Sequence, residues 1–163
     1  MDVVDYGQQF VLDITVTGFP LLPNSNQQYD YIVANHLLSC FSHHELKEKV
    51  LPNLLSMLKP GGVLRVLVPD ADKAIRAYLD GDTPFFPLGS DLPDVAARFC
   101  TFLPWFGESK SIFTGSYLWR LALDAGFDVG MECIAHESWM LPDSEIASLD
   151  DRAEQALIME FRK

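Results

Sequence analysis

The 163-residue chain is poor in cysteine and has no long hydrophobic run. Its three cysteines, Cys40, Cys100 and Cys133, are scattered and form no C-x-x-C pair, which argues against a disulfide framework. No apolar stretch approaches the roughly 20 residues that a bilayer span needs. The N-terminus carries Asp2 and Asp5 and lacks the basic and apolar regions of a signal peptide. The sequence therefore predicts a soluble protein of the reducing cytoplasm.

Positive charge is also scarce. Twelve Lys and Arg stand against 23 Asp and Glu, for a net charge of −11. A chain this acidic is poorly suited to bind nucleic acid or an anionic membrane face, so we expect neither as a partner. Hydrophobic residues make up 48% of the chain, enough for a buried core, and the length predicts a single domain over residues 1–163.

The hydrophobic pattern alternates between strands and helices, which predicts an α/β protein. The predicted strands cover residues 10–15, 29–34, 63–68, 129–135 and 155–161. The predicted helices begin at residues 43, 71, 92 and 116. Ser42 and Glu45 form a capping-box pattern at the first helix start, and Pro52 predicts a kink or a restart within that helix. Lys59 to Gly62 would then end the helix.

Residues 80–115 interrupt this alternation with prolines and glycines and are predicted to form an insert or cap within the domain. Nine of the 19 aromatic residues lie between positions 85 and 119. Phe85, Phe86, Trp105 and Phe106 are candidates for an apolar acceptor pocket or a subunit interface. The alternative is a cap that only packs over the ends of the sheet.

Several segments together resemble the class I S-adenosylmethionine-dependent methyltransferases. They are YDYIVANHLL at 29–38, LKPGGVLRVLVPD at 58–70, LDAGF at 123–127, and a tail with Asp150, Arg152, Leu157, Glu160 and Lys163. The resemblance implies a three-layer α/β sandwich of the Rossmann-like type with a reduced, mostly parallel sheet. It also implies S-adenosylmethionine as cofactor and methyl transfer to an acceptor that the sequence does not identify.

The chain differs from this family in its glycines, because no two of its ten form the G-x-G of the family's cofactor-cradling turn. We therefore expect the later two-thirds of the family fold without its opening. Residues 10–15 would pair beside residues 29–34, or a homodimer or other partner would cover that sheet edge. The alternative function is a non-catalytic scaffold of the same fold that acts in protein binding or self-association. An incomplete reading frame whose product still folds is a further possibility.

The resemblance implies a cofactor site at Asp13, Asn35 and His36. Asp13 would accept the adenine amino group, while Asn35 and His36 follow a parallel strand at the edge where open α/β sheets bind ligands. Ser39 and Cys40 stand where the family often has Glu and His, so no catalytic residue is assigned.

Cysteine and histidine also cluster in this region. His36, Cys40, His43 and His44 fall within nine residues, but their spacing is not that of a structural zinc site, so no metal is expected. Cys40 is predicted to be a buried, inert thiol rather than a nucleophile.

Overall fold

The computed structural model describes residues 28–86, 91–138, 150 and 152–163. The elements are β1 (Tyr29–Asn35), α1 (His43–Glu45), α2 (Leu51–Met57), β2 (Leu58–Pro69), α3 (Ala71–Asp80), α4 (Val95–Phe102), α5 (Gly115–Ala125), β3 (Val129–Glu132) and β4 (Ala156–Arg162). Short 3-10 turns cover Leu38–Cys40, Thr83–Phe85 and Trp105–Gly107. The α/β class predicted from the sequence is confirmed. No helix in these ranges combines the length and apolarity needed to cross a bilayer.

The sheet has four strands in the order β1-β2-β4-β3. Strands β1 and β2 are parallel, whereas β4 runs antiparallel to both β2 and β3. The prediction of a mostly parallel sheet is therefore wrong. The apolar run in β2 indicates burial on both faces, which a central strand has whatever the direction of its neighbours.

Strand β1 lies at one edge of the described sheet. Its Ile32 pairs with Leu64 of β2, in the parallel register. Residues 10–15, which were predicted to pair beside this strand, lie outside the described residues. Asp13 lies outside them as well. The pairing of residues 10–15 and the homodimer therefore stay predictions.

The helical segment after β1 is divided into three pieces. Ser42 and Glu45 form the predicted capping box, with the Ser42 N–H donating to Glu45 Oε2 at 2.8 Å. A π-helical turn covers Leu46–Val50, and α2 then begins at Leu51. Pro52 stands in the first turn of α2, directly after the π-helical turn. The predicted restart at Pro52 is not found, because Val50 and Leu51 at the junction both keep the right-handed helical conformation; the kink stays a prediction.

Strand β2 is longer than predicted, because it begins at Leu58 rather than at residue 63. The helix ends at Met57, and the segment from Lys59 to Gly62, predicted as a helix stop, already belongs to β2, where it forms an irregularity with Gly61 at a left-handed φ of 78°. Backbone bonds to the last residue hold it there: the Gly61 N–H donates to the Lys163 carbonyl, and the Lys163 N–H donates to the Gly62 carbonyl, both at 2.9 Å. This pairing between distant segments could not be seen in local sequence.

Helices α2 and α5 pack on one face of the sheet. Their apolar residues join those of the strands in one buried cluster that includes Leu54, Leu64, Leu118, Met159 and Phe161. A smaller cluster lies elsewhere, with Val33, Leu67, Cys133 and Ile158 as members. Since residues 33 and 32 alternate along β1, the two clusters lie on opposite faces of the sheet.

Part of the aromatic-rich segment packs against α3. Phe86 and Phe102 are buried together with Ala74 and Ala77 of that helix. Three T-shaped or tilted contacts join Phe85, Phe86 and Phe102, with ring centroids 5.0 to 5.7 Å apart. The segment thus has a core of its own beside the sheet. Its status as an insert within a single domain stays a prediction.

A buried ion cluster joins β2 to β4 and to residue 150. Arg65 lies directly opposite Glu160 in the strand register, and its Nη1 is 2.7 Å from Glu160 Oε1. The same guanidinium makes a bidentate pair with Asp150, at 3.0 Å from Nε and 2.6 Å from Nη2. All three side chains are 0% exposed. Burial alone would lower the pKa of Arg65, but hydrogen bonds and charges from both carboxylates outweigh it and raise that pKa.

Two further donors complete the cluster. The Ser138 hydroxyl donates to Glu160 Oε1 at 2.6 Å, and the His136 N–H donates to Asp150 Oδ2 at 2.8 Å. Every added donor offsets the cost of removing two carboxylates from water. The cluster therefore ties the segment around residues 136–138 and residue 150 to the two central strands.

We predict that Arg65→Met lowers the free energy of unfolding by about 3–5 kcal/mol, because it leaves two carboxylates buried without their cation. Urea denaturation measures the change. The matched control is Lys59→Met, which breaks the ion pair with Asp30 on the surface, where the two side chains are 47% and 74% exposed. Lys59→Met should lower the free energy of unfolding by less than about 1 kcal/mol. Equal losses in the two variants would contradict the assignment of Arg65 as a structural anchor.

Candidate functional site

A cavity of about 220 Å³ opens where β1 and β2 end. Its described lining consists of His36, Ser39, Cys40, Pro69, Trp105, Glu108 and Ser109. His36 directly follows β1, and Pro69 is the last residue of β2. Because the two strands are parallel, their carboxyl ends meet at one edge of the sheet, which is where open α/β sheets bind ligands.

His36 enters this cavity from an uncommon backbone conformation. Its φ of 51° lies in the left-handed region, where few residues other than glycine are found. The His36 N–H still donates to the Leu67 carbonyl at 2.8 Å, so pairing with β2 continues while the chain turns away. The His36 carbonyl accepts from the Ser39 hydroxyl at 3.2 Å and from the Cys40 thiol at 3.8 Å. These bonds hold the His36 backbone and two neighbouring lining residues, Ser39 and Cys40, in one tight turn.

Trp105 borders the cavity from a left-handed turn. The φ values of Trp105, Phe106 and Gly107 are 47°, 57° and 94°. Only the glycine adopts this conformation without a steric cost; for the two aromatic residues the cost is roughly 1–2 kcal/mol each. The indole stacks on the His36 ring, with centroids 6.4 Å apart and planes 8° from parallel. It also packs edge-on against Phe102 at 5.5 Å.

The chain after this turn is bonded to the segment that carries Cys40. The N–H groups of Lys110 and Ser111 both donate to the Ser39 carbonyl, at 2.8 and 3.2 Å. The Ser111 hydroxyl donates to the Phe41 carbonyl at 2.6 Å. Three hydrogen bonds thus join the two chain segments that supply the cavity lining, residues 39–41 and 105–111.

Cys40, predicted to be a buried thiol, is half-buried in the cavity lining. Its pKa is raised, first by burial and also by the negative charge of Glu108, although a hydrogen bond with Ser39 acts in the opposite direction. A thiolate is the nucleophilic form, so a raised pKa weakens the case for Cys40 as a nucleophile. His36 and Glu108 are then the better candidates for polar chemistry in the lining.

The structure places the residues predicted from the sequence as follows. His36 and Trp105 both line the cavity, and Asn35 is the last residue of β1 beside it. Phe106 is 47% exposed next to Trp105. Phe85 and Phe86 belong to the aromatic cluster on α3 and are not among the described lining residues. Their roles in a cofactor, substrate or interface site stay predictions.

The four residues considered for zinc are not brought together as a metal site. His43 is turned to Tyr117, whose hydroxyl lies 2.6 Å from His43 Nδ1. Across the described parts of the chain, no three His, Cys, Asp or Glu side chains are grouped so that they could hold a metal ion.

Sequence reasoning missed two contributors to this site. Glu108 gave no signal beyond its charge, because only the turn at Trp105 brings it to the cavity. Arg152 was placed in the tail motif, yet its guanidinium carbon lies 4.9 Å from the centroid of the Trp105 ring. A contact across 47 positions has no local signature.

Comparison with known proteins gives only weak likenesses. No family model matches the sequence, and no curated protein matches it. Among solved structures, a "putative O-methyltransferase" from Nostoc punctiforme has a TM-score of 0.49 and 14% identity, over 84% of this chain and 32% of its own. PKMT2 from Rickettsia typhi has a TM-score of 0.45 and 18% identity, over 86% of this chain and 36% of its own. This chain spans about a third of the length of each, and likenesses this weak do not identify an activity.

We predict that Cys40 reacts with iodoacetamide more slowly at pH 7 than Cys100, which is exposed on α4. The Cys40 rate should keep rising as pH passes the ordinary thiol range, because a raised pKa leaves less thiolate at any lower pH. Mass spectrometry of the labelled peptides measures both rates. If Cys40 reacted as fast as Cys100 at pH 7, the thiol would be more ionised than this geometry allows.

Proposed function

We propose that the chain takes part in methyl transfer from S-adenosylmethionine, and that the His36 cavity is the acceptor end of that site. The observation that carries the proposal is the position of the cavity, at the shared carboxyl edge of two parallel strands. The segments that resemble the methyltransferase family, at residues 29–38 and 58–70, are the same two strands and the turns that line it.

The size of the cavity limits what it can hold. Ligand pockets commonly measure about 300–1,000 Å³, whereas this one measures about 220 Å³. It suits a small acceptor or the methyl-bearing end of the cofactor rather than the whole molecule. The carboxylate of Glu108 favours a positively charged group such as a sulfonium. The adenine end would depend on Asp13, as the family resemblance implies.

The lining residues suggest a division of labour. S-adenosylmethionine, when bound, supplies a methyl group activated by its sulfonium. His36 provides an imidazole that can accept the proton of an acceptor hydroxyl, amine or thiol as that group attacks the methyl carbon. Trp105 covers the reacting groups and limits their contact with water. Most of the acceleration would come from holding the two reactants in line.

A non-catalytic scaffold is the alternative, and one observation favours it. Trp119 and Leu123 on α5 are 39% and 40% exposed, and Val129 and Met131 on β3 are 44% and 38% exposed. Strand β3 ends the described sheet on the side opposite β1. Apolar side chains at a sheet edge are suited to self-association. Light scattering of the full chain would show a dimer under this alternative, together with no response to the cofactor.

We predict that calorimetric titration of the full chain gives saturable binding of both S-adenosylmethionine and S-adenosylhomocysteine. Glu108→Gln should lower the affinity for S-adenosylmethionine, which carries the sulfonium, two- to fivefold relative to the affinity for the neutral thioether S-adenosylhomocysteine. An exposed charge pair contributes roughly 0.5–1 kcal/mol, which corresponds to this factor. Asp124→Asn, which removes an exposed carboxylate of α5, is the matched control and should leave the ratio unchanged.

Two results would count against this proposal. A flat titration and an unchanged melting temperature up to millimolar cofactor would exclude binding, because a ligand of the folded state raises stability by mass action. Binding of both compounds with no change in their ratio in Glu108→Gln would instead separate the cofactor site from this cavity.

A further inference from the structure

Arg152 contacts the side chain that borders the cavity without lining the cavity itself. Its guanidinium carbon lies 4.9 Å from the centroid of the Trp105 ring, within the distance at which the indole attracts a cation. Trp105 in turn stacks on His36. Arg152 is not among the described lining residues. Its position therefore bears on the site through the indole of Trp105.

The backbone that carries Arg152 is fixed to the two central strands. The Arg152 carbonyl accepts from the Gln155 N–H at 3.0 Å, and the Gln155 carbonyl accepts from the Asp70 N–H at 2.9 Å, directly after β2. Two residues before Arg152, Asp150 is held by the buried guanidinium of Arg65. The guanidinium is thus presented to Trp105 from an anchored turn.

Three residues in this series of contacts share an unusual backbone. The φ values of His36, Trp105 and Arg152 are 51°, 47° and 52°. Non-glycine residues in this region are uncommon and persist only where their surroundings hold them. The side chains of all three are in contact in series, from His36 in the cavity lining through Trp105 to Arg152. Strain concentrated in one set of contacts is typical of a functional element rather than of a connecting loop.

We propose that Arg152 is a positioning residue that holds Trp105 closed over the cavity and so controls how readily a molecule reaches His36 and Cys40. An effect of Arg152 on methyl transfer rests on the proposed function. Its effect on access to the cavity depends only on the turn at Trp105 and does not require that function. Removing the guanidinium should let the strained turn at Trp105 open more often.

Cys40 offers a direct measure of that opening, because its thiol lines the cavity. The full chain with Cys100→Ser would be treated with iodoacetamide at one pH, and labelling of Cys40 and of the buried Cys133 followed by mass spectrometry. Arg152→Gln should speed labelling of Cys40 two- to fivefold and leave Cys133 unchanged. That factor corresponds to the roughly 0.5–1 kcal/mol of a solvent-exposed cation–π contact.

Matched variants sharpen the test. Arg120→Gln, which removes an exposed guanidinium of α5, should change neither rate. Arg152→Lys keeps the charge but loses the planar group that stacks on an indole, so its Cys40 rate should fall between those of the parent and Arg152→Gln. Trp105→Ala should speed labelling of Cys40 at least as much as Arg152→Gln does. Adding Arg152→Gln to Trp105→Ala should produce no further increase in that rate.

Three results would overturn the proposal. They are an unchanged Cys40 rate in Arg152→Gln, acceleration of Cys40 and Cys133 together, and additive effects of the Trp105 and Arg152 substitutions. The second would mean general loosening of the fold, and the third would mean that Arg152 acts independently of the indole. Labelling needs no cofactor, so a chain that fails to bind S-adenosylmethionine can still show this control of access, and the two failures are distinguishable.

Discussion

The charge of Arg65, inside an otherwise apolar central strand, is the constraint on which much of this molecule depends. A guanidinium that is 0% exposed must be paired, and its partners come from far along the chain, at Asp150 and Glu160. Glu160 lies opposite it across the β2–β4 ladder, which is consistent with only one register of these strands. Asp150 fixes the chain just before β4. One buried cation thus specifies both the antiparallel half of the sheet and the approach to it.

That anchor is continuous with the candidate site. From Asp150 the chain reaches Arg152, which contacts Trp105, and Trp105 stacks on His36 at the end of β1. Beyond β2, Asp70 caps α3 by accepting N–H donors from that helix, while its own N–H bonds to Gln155. The carboxyl end of β2 is therefore bonded both to α3, through the Asp70 side chain, and to the residue before β4, through the Asp70 N–H. The cavity lies where these constraints converge.

The features that were predicted correctly from the sequence are those that depend on interactions between residues close together in the chain. Burial of an apolar strand and the capping box at Ser42 each depend on neighbours within a few positions, and both are found. The direction of β4 and the start of β2 were not predictable, because they depend on pairing with distant segments. The ion cluster left one usable signal: Arg65 is a lone charge within a strand predicted to be buried, and such a residue requires a partner. The left-handed backbone at Trp105 and Phe106 had no comparable signal in the sequence.

The energies at the turn of residues 105–107 bear on the proposed movement of Trp105. Two aromatic residues in the left-handed region cost roughly 2–4 kcal/mol together. An edge-on aromatic contact such as that with Phe102 returns roughly 0.5–1.5 kcal/mol, and the contact with Arg152 about 0.5–1 kcal/mol. Cost and return are of the same order, so loss of the Arg152 contact is large enough to favour opening of the turn, as proposed above. Under that proposal, a ligand that prefers the closed arrangement of Trp105 by a comparable amount would also shift the population toward it.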